Sequence, residues 1–150
     1  MEPGKEINQK KFRNHAHKLG VNIIYTFNWL NTINSGLLKP HKITTQQFNV
    51  LRIIRGQQPN PASIKFIRER MLDKMSDASR IVEKLRIKGF AERRTCPNDR
   101  RACDVLITKK GMKLLQHIDD NSFDFDNLFS NLNQSEIKQL NFLMDKLRGE

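Results

Sequence analysis

Apolar side chains recur at steps of three or four through the first forty residues of the chain. They are Phe12, Ala16, Leu19, Ile23, Phe27, Leu30, Ile33 and Leu37. This spacing predicts one long amphipathic helix over about Glu6–Asn34, ended by Ser35-Gly36 and by Pro40. With a rise of about 1.5 Å per residue, the helix would exceed about 40 Å, which is longer than the core of this chain needs. We therefore expect part of it to pack on a partner subunit.

Two shorter helices are predicted next. Thr44 and Gln47 fit a capping box that starts the first of them, and Gly56 ends it. Its apolar face consists of Phe48, Leu51 and Ile54. A loop over residues 57–61 contains two prolines and separates this helix from the next one. That next helix carries Ile64, Ile67 and Met71 inward and Lys65, Arg68 and Arg70 outward.

A fourth helix is predicted from about Ser76 to Lys88. Its buried stripe consists of Ala78, Ile81, Val82 and Leu85. Gly89 follows at the position where a left-handed cap is expected. The outer face of this helix is polar and charged, with Asp77, Ser79, Arg80, Glu83, Lys84 and Lys88.

The segments Phe90–Cys96 and Ala102–Thr108 predict two strands around a turn at Pro97–Arg101. Two further helices follow. Thr108 can cap the first of them, which the polar segment Asp119–Ser122 either continues or interrupts. A second capping box starts the last helix, whose apolar stripe is spaced by three and four residues. The residues concerned are Asn133 and Glu136 for the box and Ile137, Leu140, Leu143 and Leu147 for the stripe. The predicted fold is mainly α with one small β-hairpin.

Charge narrows the choice of partner. The 150 residues carry a net charge of +11, and the sequence pI is about 10.0. The net charge is +7 over residues 1–59, +8 over residues 60–113 and −4 over residues 114–150. A basic body with an acidic C-terminal segment points to a polyanion, with nucleic acid ahead of a membrane surface, although single charge runs are most often solvated faces.

Membrane and secreted classes do not fit the sequence. The most apolar stretch, Gly20–Leu30, is interrupted by Asn22, Thr26 and Asn28, and it is too short to span a bilayer. The polar start of the chain has no signal-peptide pattern. Two cysteines are too few for a disulfide scaffold. We expect a soluble, cytoplasmic protein.

Short helices, a turn and a basic-polar third helix make a helix-turn-helix arrangement. A recognition helix needs short polar and basic side chains near its N-terminus because these face the base edges in the major groove. Ser76, Asp77, Ser79 and Arg80 supply such a face. The hairpin after it carries Arg93 and Arg94 on one side and Arg100 and Arg101 on the other, and arginines on a protruding loop suit phosphates and a narrow minor groove.

The segment Asp99–Thr108 resembles the Asp-x-Arg wing of the MarR family of winged helix-turn-helix regulators. Ser76–Leu85 and Lys88–Arg93 lie at the spacing of that family, and the resemblance covers roughly Thr44–Ile118. It departs at the turn before the recognition helix, where Leu72 and Asp73 replace the common Gly and apolar residue.

The resemblance implies a homodimer that grips pseudo-palindromic double-stranded DNA with two wings. It implies an N-terminal dimerisation helix over residues 1–40, a DNA-binding domain over 41–113 and C-terminal dimerisation helices over 114–150. The implied contacts in the major groove are Ser76, Asp77, Ser79 and Arg80. Arg101 becomes the minor-groove arginine of the wing, and Asp99 is the residue that fixes the wing tip. Phosphate contacts are expected from Lys84, Arg93, Arg94 and Arg100.

A small-molecule effector is a further expectation. His15, Tyr25 and Trp29, with Phe27 nearby, could line a pocket between the dimer helices and the DNA-binding body, although aromatic residues at helical spacing are more often core. Members of the family often bind anionic aromatic effectors at such a position.

Other chemistries have weaker support. Cys96 and Cys103 flank the wing tip and could form an oxidisable pair, but a buried apolar role is commoner for a residue such as Cys103. Neither the cysteines nor His15 and His17 make a metal-binding pattern, so we expect no metal and no cofactor. No nucleotide-binding glycine motif or nucleophile elbow occurs, and we expect no enzyme.

These observations predict a dimeric, sequence-specific transcriptional regulator, a repressor released by a small ligand or an oxidant. One alternative is a nonspecific architectural DNA-binding protein, which would discriminate little between sequences. Another is a winged helix used as a protein-interaction module, against which the dense wing arginines argue.

Overall fold

The computed structural model describes the backbone of residues 11–96, 99–121 and 125–150, and the side chains of residues 11–95, 104–121 and 127–150. The chain divides into two compact units, residues 1–116 and residues 117–150. In chain order the elements are α1 His15–Leu38, α2 Thr45–Gln57, β1 Ala62–Ser63, α3 Ile64–Arg70, α4 Ala78–Ile87, β2 Ala91–Cys96, β3 Asp99–Ile107, α5 Lys109–Asn121 and α6 Gln134–Arg148. Short 3-10 helices lie at Lys39–His41 and Phe125–Phe129. The mainly helical fold with a small β wing is confirmed.

The predicted bounds of the first helix were wrong at both ends. α1 begins at His15, because the Asn14 side chain accepts a hydrogen bond from the His17 N–H at 2.8 Å and caps the helix there. Residues 11–14 are not helical, and the predicted residues 6–10 lie outside the described part of the chain. At the other end α1 continues through Gly36 to Leu38. The helix tolerates Gly36 because a single helical glycine costs only about 1 kcal/mol. The side chain of Leu38 is buried.

The helix α2 forms the centre of the core. Its predicted capping box is present, because Thr44 Oγ1 accepts from the Gln47 N–H at 3.1 Å and Gln47 Oε1 accepts from the Thr44 N–H at 3.2 Å. The helix ends at Gln57, one residue after the predicted end. The fully buried side chains around it come from α2, α3, α4, β3 and α5, and include Val50, Leu51, Ile54, Ile67, Val82, Leu85, Val105 and Leu115.

Three antiparallel strands form the sheet in the order β1-β3-β2. The two-residue strand β1 pairs with Val105 and Asp104 of β3 and was not predicted. The strand β3 begins at Asp99 rather than at the predicted Ala102, because the ladder with β2 extends to a Cys96–Asp99 pair beyond an irregularity at Thr95. Residues 99–101, which were predicted as part of the turn, therefore belong to the strand.

The two C-terminal helices follow the local signals. Thr108 Oγ1 accepts from the Gly111 N–H at 3.1 Å at the start of α5, and the polar residues Asp119 and Asp120 continue that helix to Asn121. Asn133 and Glu136 form the second predicted capping box, at the start of α6. The apolar stripe of α6 is exposed, with Leu140, Leu143 and Leu147 between 45% and 57% accessible to solvent. Among the described residues, no helix has the length and apolarity needed to cross a membrane.

Candidate nucleic-acid interface

The turn between α3 and α4 is held by hydrogen bonds to the side chains of Asp73 and Asn49. Asp73 accepts a hydrogen bond from the Ser76 hydroxyl at 2.5 Å and another from the Met75 N–H at 3.0 Å. The Leu72 N–H donates to Asn49 Oδ1 on α2 at 3.1 Å. Hydrogen bonding, above all from Ser76, lowers the pKa of the Asp73 carboxyl below its usual value. Asp73 therefore keeps the charge that holds the entry to α4 in place.

The helix α4 presents the face expected of a recognition helix. Ser79, Arg80 and Lys84 are exposed, while Val82 and Leu85 are fully buried. The alternation at steps of three and four directs the polar residues to solvent because the apolar ones pack on α2 and α3. The position of α4 on the core thus decides which side chains can reach a partner.

Ser76 and Asp77, both predicted as DNA contacts, also have structural partners. The Ser76 hydroxyl donates to Asp73, and the Asp77 carboxylate caps α4 by accepting from the Arg80 N–H at 3.1 Å. An acidic side chain at a helix N-terminus is favoured by the helix dipole. These bonds lie within four residues of sequence, so a capping pattern could have revealed the Asp77 role.

The C-terminal end of α4 is tied to the loop before α2. Lys88 Nζ donates to the Lys42 carbonyl at 2.6 Å and to Oε1 of the buried Gln47 at 2.9 Å. Gly89 then takes the predicted left-handed conformation, with φ of 78°. Lys88 was predicted only as part of the polar outer face, and its role in anchoring the helix was not predicted. Its partners lie 41 and 46 residues away in sequence, where no local pattern could indicate them.

A carboxylate of α4 links this helix to the wing. Glu83 accepts hydrogen bonds from the Arg86 guanidinium at 2.8–3.2 Å and lies 3.6 Å from that of Arg93 on β2. Hydrogen bonds and charge from Arg86, then Arg93, lower the pKa of Glu83. Arg94, also on β2, contacts Glu92 at 2.7 Å. Both predicted phosphate contacts of β2 therefore have a carboxylate neighbour within the chain.

The wing tip adds the remaining predicted contacts. Asp99, Arg100 and Arg101 belong to β3, but their side chains lie outside the described part of the chain, and so do those of Cys96 and Cys103. The backbone pairs Cys103 with Thr95, and Cys96 with Asp99. The roles assigned to these five residues stay predictions.

A cleft of about 430 Å³ lies behind the turn that precedes α4. Residues of α1, α2 and the turn line it: Phe27, Leu30, Asn31, Asn34, Thr45, Gln46, Asn49, Met71, Leu72 and Asp73. The predicted effector residues His15, Tyr25 and Trp29 are not among them. Phe27, which was noted beside them in sequence, does line the cleft.

A short helix, a turn and a capped basic helix, followed by a β-hairpin, define a winged helix-turn-helix protein. Comparison with known proteins agrees. The sequence model of the MarR family matches residues 43–103. The transcriptional regulator MhqR of Bacillus subtilis is 27% identical over 110 residues, which are 71% of this chain and 73% of MhqR.

Solved structures give the same result. A MarR variant from E. coli in complex with operator DNA has a TM-score of 0.76 at 25% identity, covering 92% of this chain and 99% of that one. The fold is also that of Bordetella bronchiseptica BpsR, whose DNA binding is regulated by 6-hydroxynicotinic acid, with a TM-score of 0.76 at 20% identity over 87% of this chain and 98% of BpsR. The chain is therefore similar, in sequence over residues 43–103 and in fold, to the DNA-binding transcriptional regulators of the MarR family.

Proposed function

We propose that this protein is a homodimeric repressor that reads a pseudo-palindromic operator with α4 and releases it when a small ligand binds. The observation that carries the proposal is the exposed face of Ser79, Arg80 and Lys84 on a helix whose two ends are held by Asp77 and Lys88. A held helix supports base readout because the side chains reach the groove already oriented. In this proposal Arg101 of the wing enters the minor groove, Arg100 contacts phosphate and Asp99 fixes the wing tip.

The proposed dimer uses helices at both ends of the chain, over residues 1–40 and 114–150. α1 exposes Leu19, Ile24, Phe27 and Trp29, and α6 exposes Leu140, Phe142, Leu143 and Leu147. Large apolar side chains that are exposed along one helix, within the described part of the chain, support burial against a second copy. Two recognition helices related by a twofold axis would then meet half-sites about 10 bp apart.

Selection of bound fragments from random-sequence DNA at about 0.15 M salt tests the proposal, since nonspecific attraction is already reduced there. The expected result is an enriched inverted repeat whose half-sites lie about one helical turn apart. Analytical ultracentrifugation of the protein with the enriched fragment should give two chains per duplex. Absence of enrichment, with binding that fades as salt rises, would instead favour an architectural DNA-binding protein. Absence of any DNA binding would favour a protein-interaction module.

The cleft behind the turn is the effector site in this proposal. Asn49 lines the cleft and also accepts the Leu72 N–H, and Asp73 lines it and also holds Ser76. A ligand that takes over these hydrogen bonds frees the turn, which lowers the population in which α4 is oriented for DNA. The described lining contains one carboxylate, four amide side chains and no Lys, Arg or His. This chemistry favours a neutral or cationic aromatic ligand over an anionic one.

Benzylamine and benzoate are a matched pair of probes for the cleft. We expect benzylamine to weaken operator binding at a lower concentration than benzoate does, as measured by fluorescence anisotropy of a labelled duplex. Leu30→Trp should fill the cleft and abolish this response while DNA binding persists. A stronger response to benzoate, or an unchanged response in Leu30→Trp, would contradict the assignment. Release by an oxidant acting on Cys96 and Cys103 is the alternative mechanism.

A further inference from the structure

We infer that Glu83 limits the DNA affinity of this protein by competing with DNA phosphates for Arg86 and Arg93. Glu83 lies on the exposed face of α4, one helical turn after Ser79 and Arg80. The inference goes beyond the effector and operator proposals, but it uses the proposed contact between the α4 face and DNA.

The geometry gives Glu83 both arginines at once. Arg86 donates through Nε and Nη2, at 3.0 and 2.8 Å, so the carboxylate holds the guanidinium by two nitrogen atoms. The Nη1 atom of Arg93 lies 3.6 Å from Glu83 Oε2, the oxygen that also accepts from Arg86 Nε. A phosphate offers a guanidinium the same paired oxygen acceptors, so one partner replaces the other.

Exposure makes this exchange possible. The side chains of Glu83 and Arg86 are 41% and 49% accessible, and that of Arg93 is 29% accessible. Ion pairs at such exposure contribute little to folding, so the fold does not require Glu83 to stay paired. A carboxylate in the middle of a DNA-facing surface also repels every nearby phosphate. The pairing reduces the number of cations that are available to DNA, and the repulsion opposes the approach of phosphates. Both effects lower the affinity for DNA.

Binding of the full-length protein to a duplex of unrelated sequence tests the inference across a salt series. Because each phosphate contact steepens the plot of log Kd against log salt by about 0.9, Glu83→Gln should steepen it by about one to two. We expect Kd at 0.1 M salt to fall by roughly tenfold. Glu69→Gln on α3 is the control, because it makes the same charge change at a carboxylate that forms no ion pair with an arginine among the described residues. It should change Kd by less than about twofold.

A double-mutant comparison isolates the competition. Arg86→Gln and Arg93→Gln should hardly alter the salt slope when Glu83 is present, and each should reduce it by about 0.9 in the Glu83→Gln background. Circular dichroism and thermal unfolding of each variant establish that the fold persists. These readouts separate competition from a purely structural role, which would alter stability and leave the salt slope unchanged.

Three results would overturn the inference. One is an unchanged or weaker affinity of Glu83→Gln, which would make Glu83 a residue that positions the arginines. Another is an equal gain from Glu69→Gln, which would make net charge the cause. The third is a loss of base preference at a single operator position in Glu83→Gln, which would make Glu83 a base contact. The proposed contact between α4 and DNA is tested separately. If that contact does not exist, Arg80→Ala should bind DNA as tightly as the unaltered protein does.

Discussion

Replacing Gly111 with alanine should destabilise the protein by about 3 kcal/mol or more, because the added Cβ has no room. That atom would lie 2.3 Å from the Phe90 carbonyl oxygen and 2.8 Å from Cγ1 of Ile107. The Phe90 carbonyl cannot simply withdraw, since it accepts the Thr108 N–H at 3.1 Å. The first turn of α5 would have to move away from the sheet that carries the wing.

Thermal unfolding followed by circular dichroism checks this prediction, and the midpoint should fall by roughly 6–12 °C. Gly56→Ala is the matched control. Gly56 is also helical, in the last turn of α2, and a Cβ there would meet nothing within 4 Å. That substitution should leave stability unchanged or raise it by up to about 1 kcal/mol. Similar effects of the two substitutions would refute the packing argument.

The second large effect is expected on DNA binding. Arg80→Ala should weaken operator binding by about 1–3 kcal/mol, or roughly 5- to 150-fold, and should relax the preference at one base pair if Arg80 reads a base. The fold should survive, because Asp77 caps α4 through the Arg80 backbone N–H and alanine keeps that donor. Anisotropy titrations with the selected operator and with single-base variants of it provide the measurement.

Lys84→Ala is the comparison for Arg80→Ala. A lysine that contacts only phosphate should weaken binding equally on all sequences and reduce the salt slope by about one. The two variants therefore separate base readout from phosphate contact on the same helix. Operator affinity that is unchanged in both variants would remove α4 from the interface.

Several features of the chain followed from short stretches of sequence. The capping boxes at Thr44–Gln47 and Asn133–Glu136 are confirmed, as is the left-handed Gly89. Each involves residues at most three positions apart or a single backbone conformation, so the local order of side chains determines it. The long first helix shows where the apolar stripe misleads. The stripe includes Phe12, but the Asn14 cap starts α1 at His15.

Local sequence patterns predicted less of the surface around the recognition helix. The polar face of α4 followed from its period, whereas the partners of Arg93 and Lys88 did not. Glu83 and Arg93 are ten residues apart on different elements, and Lys88 reaches the loop before α2. The cleft also combines residues of α1, α2 and the turn that are up to 46 positions apart. Such contacts have no periodic signature, which is why the predicted effector residues missed the cleft.

The sequence by itself determined the winged helix-turn-helix class of this protein: the helix order, the caps, the basic recognition face and an Asp-x-Arg segment that resembles the wing of MarR-family regulators. Repeating spacing and local hydrogen bonding are enough for these features. Only the tertiary structure decided which charges are already paired, where α4 is anchored and where a ligand has room. Those properties depend on which distant side chains packing of the core brings within about 3 Å of one another.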